Sequence, residues 1–261
     1  MVVERLKAGE RAVGTMIRIV RNPAIAWIVR NSGLDFLMYD AEHGSYDTER
    51  WADTFALCRA AGVGGFIRVP ELSRACVSKA LDAGADGVMV PMLETVEQAE
   101  RFVEWAKYSP VGGRGFGSVG GHTNYGTVAG NPADFMAASN RQTLTIAQIE
   151  TEAGVTNVDA IAAIPGIDAL LVGPNDLALS LGVPGDLMGD TLDRAIGRVA
   201  AAAKRRGKVF GLHAPDALLE HWIPEGCTLV MSGLDAAVLS AGFASIATKF
   251  DRQESPGAGG A

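Results

Sequence analysis

The 261-residue chain predicts a (β/α)8 barrel, an α/β fold in a single domain. Three observations carry that prediction. Eight short β-rich runs alternate with helical patterns nearly throughout. The runs are apolar from end to end, as strands covered on both faces of a parallel sheet should be. Eight such units also fill the length that this barrel requires. An open doubly wound sheet shares the alternation, which by itself does not show closure.

The strand candidates, in order, are GTMIRI (14–19), FLMYD (36–40), GFIRV (65–69), GVMVP (87–91), LTIAQIE (144–150), ALLVG (169–173), VFGLH (209–213) and LVMSG (229–233). Helix boundaries lie between them. Asn22-Pro23 offers a cap followed by a first-turn proline, and Asp47 or Thr48 caps the next helix. Gly62 and Gly84 stand where helices should stop. Over 95–108, Val96, Ala99, Phe102, Val103 and Ala106 recur at helical spacing. The longest irregular stretch is 109–131, glycine-rich, and a loop of that length is usually functional or mobile. One barrel domain is expected over 1–250, with a disordered tail over 251–261.

Composition narrows the function. The net charge of -7 argues against nucleic acid or an anionic membrane as the main partner. No apolar run approaches the roughly 18 residues of a membrane span, and MVVERLKAGE lacks the apolar stretch of a signal peptide. Cys58, Cys76 and Cys227 are odd in number and widely spaced, as in a reducing compartment. A cytoplasmic protein is expected.

In such a barrel, residues at the carboxyl ends of the strands converge on one mouth. Applied here, the rule gathers Arg18, then Asp40, Glu42 and His43, then Arg68, Gln148, Glu150, Asp176, His213 and Ser232. Glu150 and Asp176 are metal candidates, because two carboxylates from adjacent strands hold a divalent ion and leave positions open. Each could instead open the helix that follows it. Arg68 lies within an apolar run, so it must be paired; it serves either a structural salt bridge or charge developing on a substrate oxygen. His43 with Asp40 is the acid–base candidate, a carboxylate orienting an imidazole. His213 is a second candidate, His221 lies on a helix, and His122 and Arg114 sit in a loop that could reach the site. GFGSVG (115–120) matches the dinucleotide fingerprint but lacks the preceding strand and following helix, which argues against it. None of the six lysines falls at a strand's carboxyl end, so a metal rather than a Schiff base is the expected electron sink.

DAEH (40–43), IRVP (67–70), LDAGADGVMVPMLETVEQAE (81–100), GGRGFGS (112–118), QIE (148–150) and GPNDLALSLG (173–182) together resemble the HpcH/HpaI family of metal-dependent pyruvate aldolases. The resemblance spans about residues 5–250. It implies a barrel whose last helix is exchanged between subunits, usually in hexamers built as trimers of dimers. It implies that Glu150 and Asp176 ligate Mg²⁺, Mn²⁺ or Co²⁺, and that Gln148 and Arg68 contact bound pyruvate. The backbone at Gly173 and Asn175 would hold the carboxylate, Asp40 and His43 would form the dyad, and Asp82 would be presented to a neighbouring subunit. The implied reaction is reversible cleavage of a 4-hydroxy-2-oxo acid into pyruvate and an aldehyde. After GGRGFGS the chain reads VGGHTNYG, where many relatives carry an arginine-containing stretch, so the aldehyde stays open. Two other readings are a citrate-lyase-type enzyme acting on CoA thioesters and a barrel that binds a 2-oxo acid without turning it over.

Overall fold

The computed structural model describes residues 1–250 and closes eight parallel strands into one barrel in chain order. The expected tail at 251–261 lies outside the described residues. The strands are β1 (Ala12–Ile17), β2 (Phe36–Asp40), β3 (Gly64–Arg68), β4 (Gly87–Val90), β5 (Leu144–Ile149), β6 (Ala169–Val172), β7 (Val209–His213) and β8 (Leu229–Leu234). Each coincides with its sequence candidate to within two residues at either end. The helices are α1 (Val2–Lys7), α2 (Ile25–Asn31), α3 (Thr48–Ala61), α4 (Arg74–Asp82), α5 (Val96–Ala106) and α6 (Pro132–Gln142), followed by α7 (Glu152–Ala163), α8 (Pro174–Ser180), α9 (Asp190–Arg206), α10 (Asp216–Trp222) and α11 (Asp235–Lys249).

The local signals act as their chemistry requires. Asp47 caps α3 by accepting from the Arg50 amide, and Gly62 ends that helix at φ 71°. Thr95 and Gln98 form a capping box at the start of α5. Asn22 instead caps a turn, accepting from the Ala24 amide, and α2 begins after it.

Every second strand residue points into the barrel, and this register delivers the site. Ala12, Met16, Phe36, Met38, Phe66, Met89, Leu144, Ile146, Ala169, Leu171 and Met231 form the interior cluster, closed at the amino end by Val3 and Leu6 of α1. The rings of Phe36 and Phe66 lie 5.1 Å apart. Burying one such side chain contributes about 1.5–3 kcal/mol, and Phe36→Ala would cost about 3–5 kcal/mol. Two residues beyond the interior layer, the same register presents Arg18 after Met16, Asp40 after Met38, Arg68 after Phe66 and Gln148 after Ile146. The alternate residues, such as Leu37, Tyr39, Ile67 and Val88, pack outward against the helices.

One segment departs from expectation, and another stands apart from the rest of the fold. The 109–131 loop lies at the amino end of the barrel, away from the mouth. Arg59, near the end of α3, pins it by donating to the Gly121 carbonyl at 2.8 Å and to Asn124 at 2.6 Å. Helices run antiparallel to the strands they follow, so the end of α3 marks the amino face. The second segment is α11, which leaves the barrel: Asp235 is its one buried residue, while Phe243, Ile246 and Phe250 are 67%, 59% and 71% exposed.

Candidate active site

A cavity of about 110 Å³ opens at the carboxyl ends of the strands, lined by Arg18, His43, Arg68, Gln148, Asp176 and His213 among others. A larger cavity of about 540 Å³ lies at the opposite face, against Lys7, Lys204 and Lys208. Size does not locate the chemistry here: the converging carboxylates and guanidinium groups are all at the smaller one.

Asp40 organises one wall. It pairs in register with Arg68 on the neighbouring strand, is fully buried, and accepts from Arg68 Nε at 3.0 Å and Nη2 at 2.9 Å. Arg18 Nε donates to its other side at 2.8 Å. Burial alone would raise the pKa of Asp40, but the guanidinium groups, Arg68 foremost, outweigh it and hold the carboxyl below its usual range. Arg68 also reaches Glu42 with Nη1 at 2.9 Å. Burial keeps the Glu42 carboxyl above its usual range despite that contact.

Those contacts correct one expectation. Asp40 meets His43 through the backbone, accepting from its amide at 3.3 Å, and its oxygens are otherwise taken by the Glu42 amide and the two arginines. The imidazole is half exposed, and its carboxylate neighbour is Glu42, 3.8 Å from Nε2. The structure therefore brings Asp40 and His43 to one loop without joining their side chains.

The opposite wall carries Gln148, Glu150, Gly173 and Asp176. Glu150 is buried; it accepts from the Met92 amide at 2.8 Å and from Gln148 Nε2. Met92 adopts φ 52°, a backbone conformation costly for a side-chain-bearing residue, and that conformation aims its N–H at the carboxylate. Burial, together with the Asp176 and Glu42 charges, pushes Glu150 up to about 7, against the pull of the Met92 amide. A side chain at Gly173 would put Cβ 2.5 Å from Glu150 Oε2 and 2.8 Å from Gln148 Nε2. Any side chain there would push the carboxylate and amide ends out of this arrangement. Asp176 sits in the first turn of α8 and faces the cavity. Neither acid caps the helix after it by hydrogen bond; Thr151 caps α7, accepting from the Gly154 amide.

This donor set fits a divalent cation. It offers two carboxylates, one raised in pKa by burial and by its acidic neighbours, and the buried Gln148 Oε1, which has no hydrogen-bond partner among the described residues. Among the described residues there is no cluster of three or more acidic, histidine or cysteine groups, so substrate and water would complete the coordination.

The remaining candidates are dispersed. His213 lines the mouth, its Nε2 3.1 Å from the Gly233 carbonyl. His221 pairs with Asp193 at 3.1 Å on the outer surface. His122 lies in the amino-face loop, its Nε2 2.9 Å from the Gly117 carbonyl. Arg114 is buried there too, bonded to Asp82 at 2.7 Å, so neither reaches the mouth of its own barrel. Asp82 ends α4 on that same face. The 115–120 fingerprint match is followed by a single 3₁₀ turn, not a dinucleotide-binding helix. Lys7 and Lys107 bind Asp168 at the amino ends of the strands, and among the described residues no lysine lines the mouth. Sequence reasoning missed Asp235, whose carboxylate accepts from the amides of Arg18, Ile19 and Val20 at 2.8–3.0 Å and so sets the course of Arg18. An acid directly after the last strand was its only signal.

The family model described as HpcH/HpaI aldolase/citrate lyase matches residues 19–241. The chain is 33% identical to a 5-keto-4-deoxy-D-glucarate aldolase of Klebsiella pneumoniae, covering 88% of this chain and 89% of that one. It is 32% identical to a hydroxypyruvate/pyruvate aldolase of Roseobacter denitrificans, covering 94% of each. The crystal structure of an HpcH/HpaI aldolase from Desulfitobacterium hafniense superposes with a TM-score of 0.90, at 32% identity and 98% coverage of both chains.

Proposed function

The chain belongs to the HpcH/HpaI aldolase/citrate lyase family and is a carbon–carbon lyase, and we propose that it is a divalent-metal-dependent aldolase reversibly cleaving a 4-hydroxy-2-oxo acid into pyruvate and an aldehyde. The observation that carries this reading is the meeting of Arg68, Gln148 and Asp176 around one small mouth cavity, with Glu150 bonded to Gln148 behind it and the Gly173 backbone close against that pair. Glu150 and Asp176 would hold Mg²⁺, Mn²⁺ or Co²⁺, which when bound supplies Lewis acidity toward the carboxylate and keto oxygen of the oxo acid. The backbone at Gly173 and Asn175 seats the carboxylate, and Gln148 contacts the oxo acid beside it.

His43 takes the proton from the C4 hydroxyl, directly or through one water. The C4 carbonyl forms, the C3–C4 bond breaks, and its electron pair moves into the C2–C3 bond and onto the former keto oxygen. Arg68 faces that oxygen with its guanidinium held in place by Asp40, ready for the charge when it appears. A proton delivered to C3 then releases pyruvate. Asp40 acts on this step through Arg68 and through the backbone of the His43 loop.

Assembly completes the reading. The apolar side chains on α11 fit a helix exchanged with a second copy, and Asp82, far from its own mouth, fits presentation to a neighbour's, as in a hexamer built as a trimer of dimers. The three unpaired cysteines fit a cytoplasmic enzyme. The basic run Lys204-Arg205-Arg206 ends α9 at the amino face, away from the mouth, which weighs against the CoA-thioester reading.

The test is chemical. Exhaustive chelation should abolish cleavage, and Mg²⁺, Mn²⁺ or Co²⁺ should restore it, while borohydride with pyruvate should leave the enzyme active. A pyruvyl group trapped on a lysine would sink the proposal.

A further inference from the structure

The larger of the two cavities has no part in that mechanism. It measures about 540 Å³ and lies at the amino ends of β7 and β8, against α1 and the end of α9. At about 30 Å³ per water it has room for about eighteen waters, within the size range of small-molecule sites. Leu6 and Phe210 give it an apolar floor, while Lys7, Lys204 and Lys208 line it against a single acid, Glu225. In a chain of net charge -7 this is a local excess of cations.

The three lysines are not in the same state. Lys7 is already engaged: its Nζ lies 3.0 Å from Asp168 and donates to the Arg141 and Thr143 carbonyls at 2.9 and 3.2 Å. Among the described residues the lysine ion pairs are those of Lys7 and Lys107 with Asp168, which leaves Lys204 and Lys208 with none. Lys204 lies in the last turn of α9, and Lys208 follows Gly207, whose φ of 61° turns the chain out of that helix. The Lys208 amide bonds back to the Ala203 carbonyl at 2.9 Å, so the two stems rise from neighbouring turns. Both stems are flexible, and both ammoniums can close on one group in the cavity. Burial holds the Lys208 pKa below its usual value against the pull of Asp168, and the Lys7 and Arg206 charges add to the fall. An ammonium so placed gains from an arriving anion. A carboxylate brings one charge, whereas a phosphate monoester carries about −1.5 to −2 at pH 7 on one group with three acceptor oxygens. Glu225 opposes a second anionic group in the same ligand and, with Thr228 beside it in the lining, suits hydroxyls.

We propose that this amino-face cavity binds a phosphate monoester of a small sugar or polyol, with the phosphate held between Lys204 and Lys208 and the hydroxyls against Glu225 and Thr228. The site stands at the opposite end of the barrel from the mouth, so the inference does not depend on the aldolase reading. β7 spans the two, from Val209 in this wall to His213 in the other.

The experiment is calorimetric titration of the metal-loaded protein with glucose 6-phosphate, in parallel with glucose, orthophosphate and succinate. Glucose 6-phosphate should bind at one site per chain, orthophosphate more weakly, and glucose not at all. Lys204→Gln and Lys208→Gln should each weaken the ester about tenfold or more, the scale of losing one charge-assisted hydrogen bond. Lys79→Gln, at an exposed position on α4, should leave it unchanged. Lys204 is exposed, so its variant stands in if the half-buried Lys208 variant does not fold. Absence of binding, or an affinity unmoved in the Lys204 and Lys208 variants, overturns the site. Displacement of the ester by pyruvate would put the phosphate at the mouth and overturns it too. Succinate binding as tightly as the ester assigns the lysines to dicarboxylates, and orthophosphate binding as tightly removes the sugar; either result overturns the phosphate ester.

Discussion

Asp40 accepts from two guanidinium groups and two backbone amides while wholly out of solvent, so its charge is distributed through the mouth rather than assigned to one partner. That arrangement separates two residues that DAEH presents as a pair. Decarboxylation of oxaloacetate makes the same enolate as aldol cleavage by losing CO₂, and it has no C4 hydroxyl proton to remove. General-base catalysis is typically worth about 10²–10⁴ in rate. His43→Ala should therefore lose far more aldol cleavage than decarboxylation. Asp40→Asn should damage both, because it releases Arg68, and an oxyanion donor is typically worth about 10²–10³. Both rates belong on the same folded, metal-loaded preparations. Equal losses in His43→Ala would remove the base assignment, and an Asp40→Asn effect confined to cleavage would show that Asp40 serves His43 after all.

At the scale of elements, α11 is the exception in a barrel whose other strand-following helices bury a face. Val238, Leu239, Phe243 and Ile246 on it, and Phe250 just after it, are all solvent-exposed, a larger apolar surface than a lone helix of a soluble monomer usually shows. Ile19, just after β1, and Trp27 and Ile28 of α2 are exposed as well. An exchanged helix would cover both surfaces at once, in a self-complementary contact. Replacing Phe243 and Ile246 together by Asp should yield a protein that sediments as a monomer at concentrations where the wild type is assembled. An assembly unchanged by the two charges, or a wild type already monomeric, contradicts the exchange.

The whole molecule is tied at its amino end by a charge cluster that takes no part in the site. Asp168, just before β6, receives Lys107 of the α5 turn at 2.7 Å, Lys7 of α1 at 3.0 Å and the Thr145 amide of β5 at 3.0 Å. Burial alone would raise its pKa, but Lys107 and Lys7 hold it below the usual carboxylate range. A depressed carboxyl contributes stability that is complete above its unfolded value, about 4, and is lost as pH falls through the folded one. Asp168→Asn leaves Lys107 buried without its counter-charge, at a cost of roughly 3–5 kcal/mol near pH 6. The gap between variant and wild type should shrink toward pH 3, read by urea unfolding at one fixed protein concentration because assembly contributes. A gap of constant size across that range would detach Asp168 from the acid limb.

Continuous apolar runs and their turn residues were enough to read eight strands and their order from the sequence, because burial on both faces leaves few other patterns for a strand. The carboxyl ends of the strands could also be located, and in a barrel they converge on one mouth, which is why Arg18, Asp40, Arg68, Gln148 and His213 were legible as mouth residues before any coordinates. Partnerships were not legible. Asp40 and His43 are three residues apart, yet the register aligns Asp40 with Arg68 on the next strand, and a buried carboxylate takes the nearest fixed charges. The Met92 amide reaches Glu150 only because the chain after β4 bends through φ 52°. The glycine loop was read as able to reach the mouth from its length alone, but α5 carries the chain back to the amino face before the loop begins. Sequence patterning reports what each residue can bury; which groups meet is decided by strand register, helix direction and closure of the barrel, and those exist only in three dimensions.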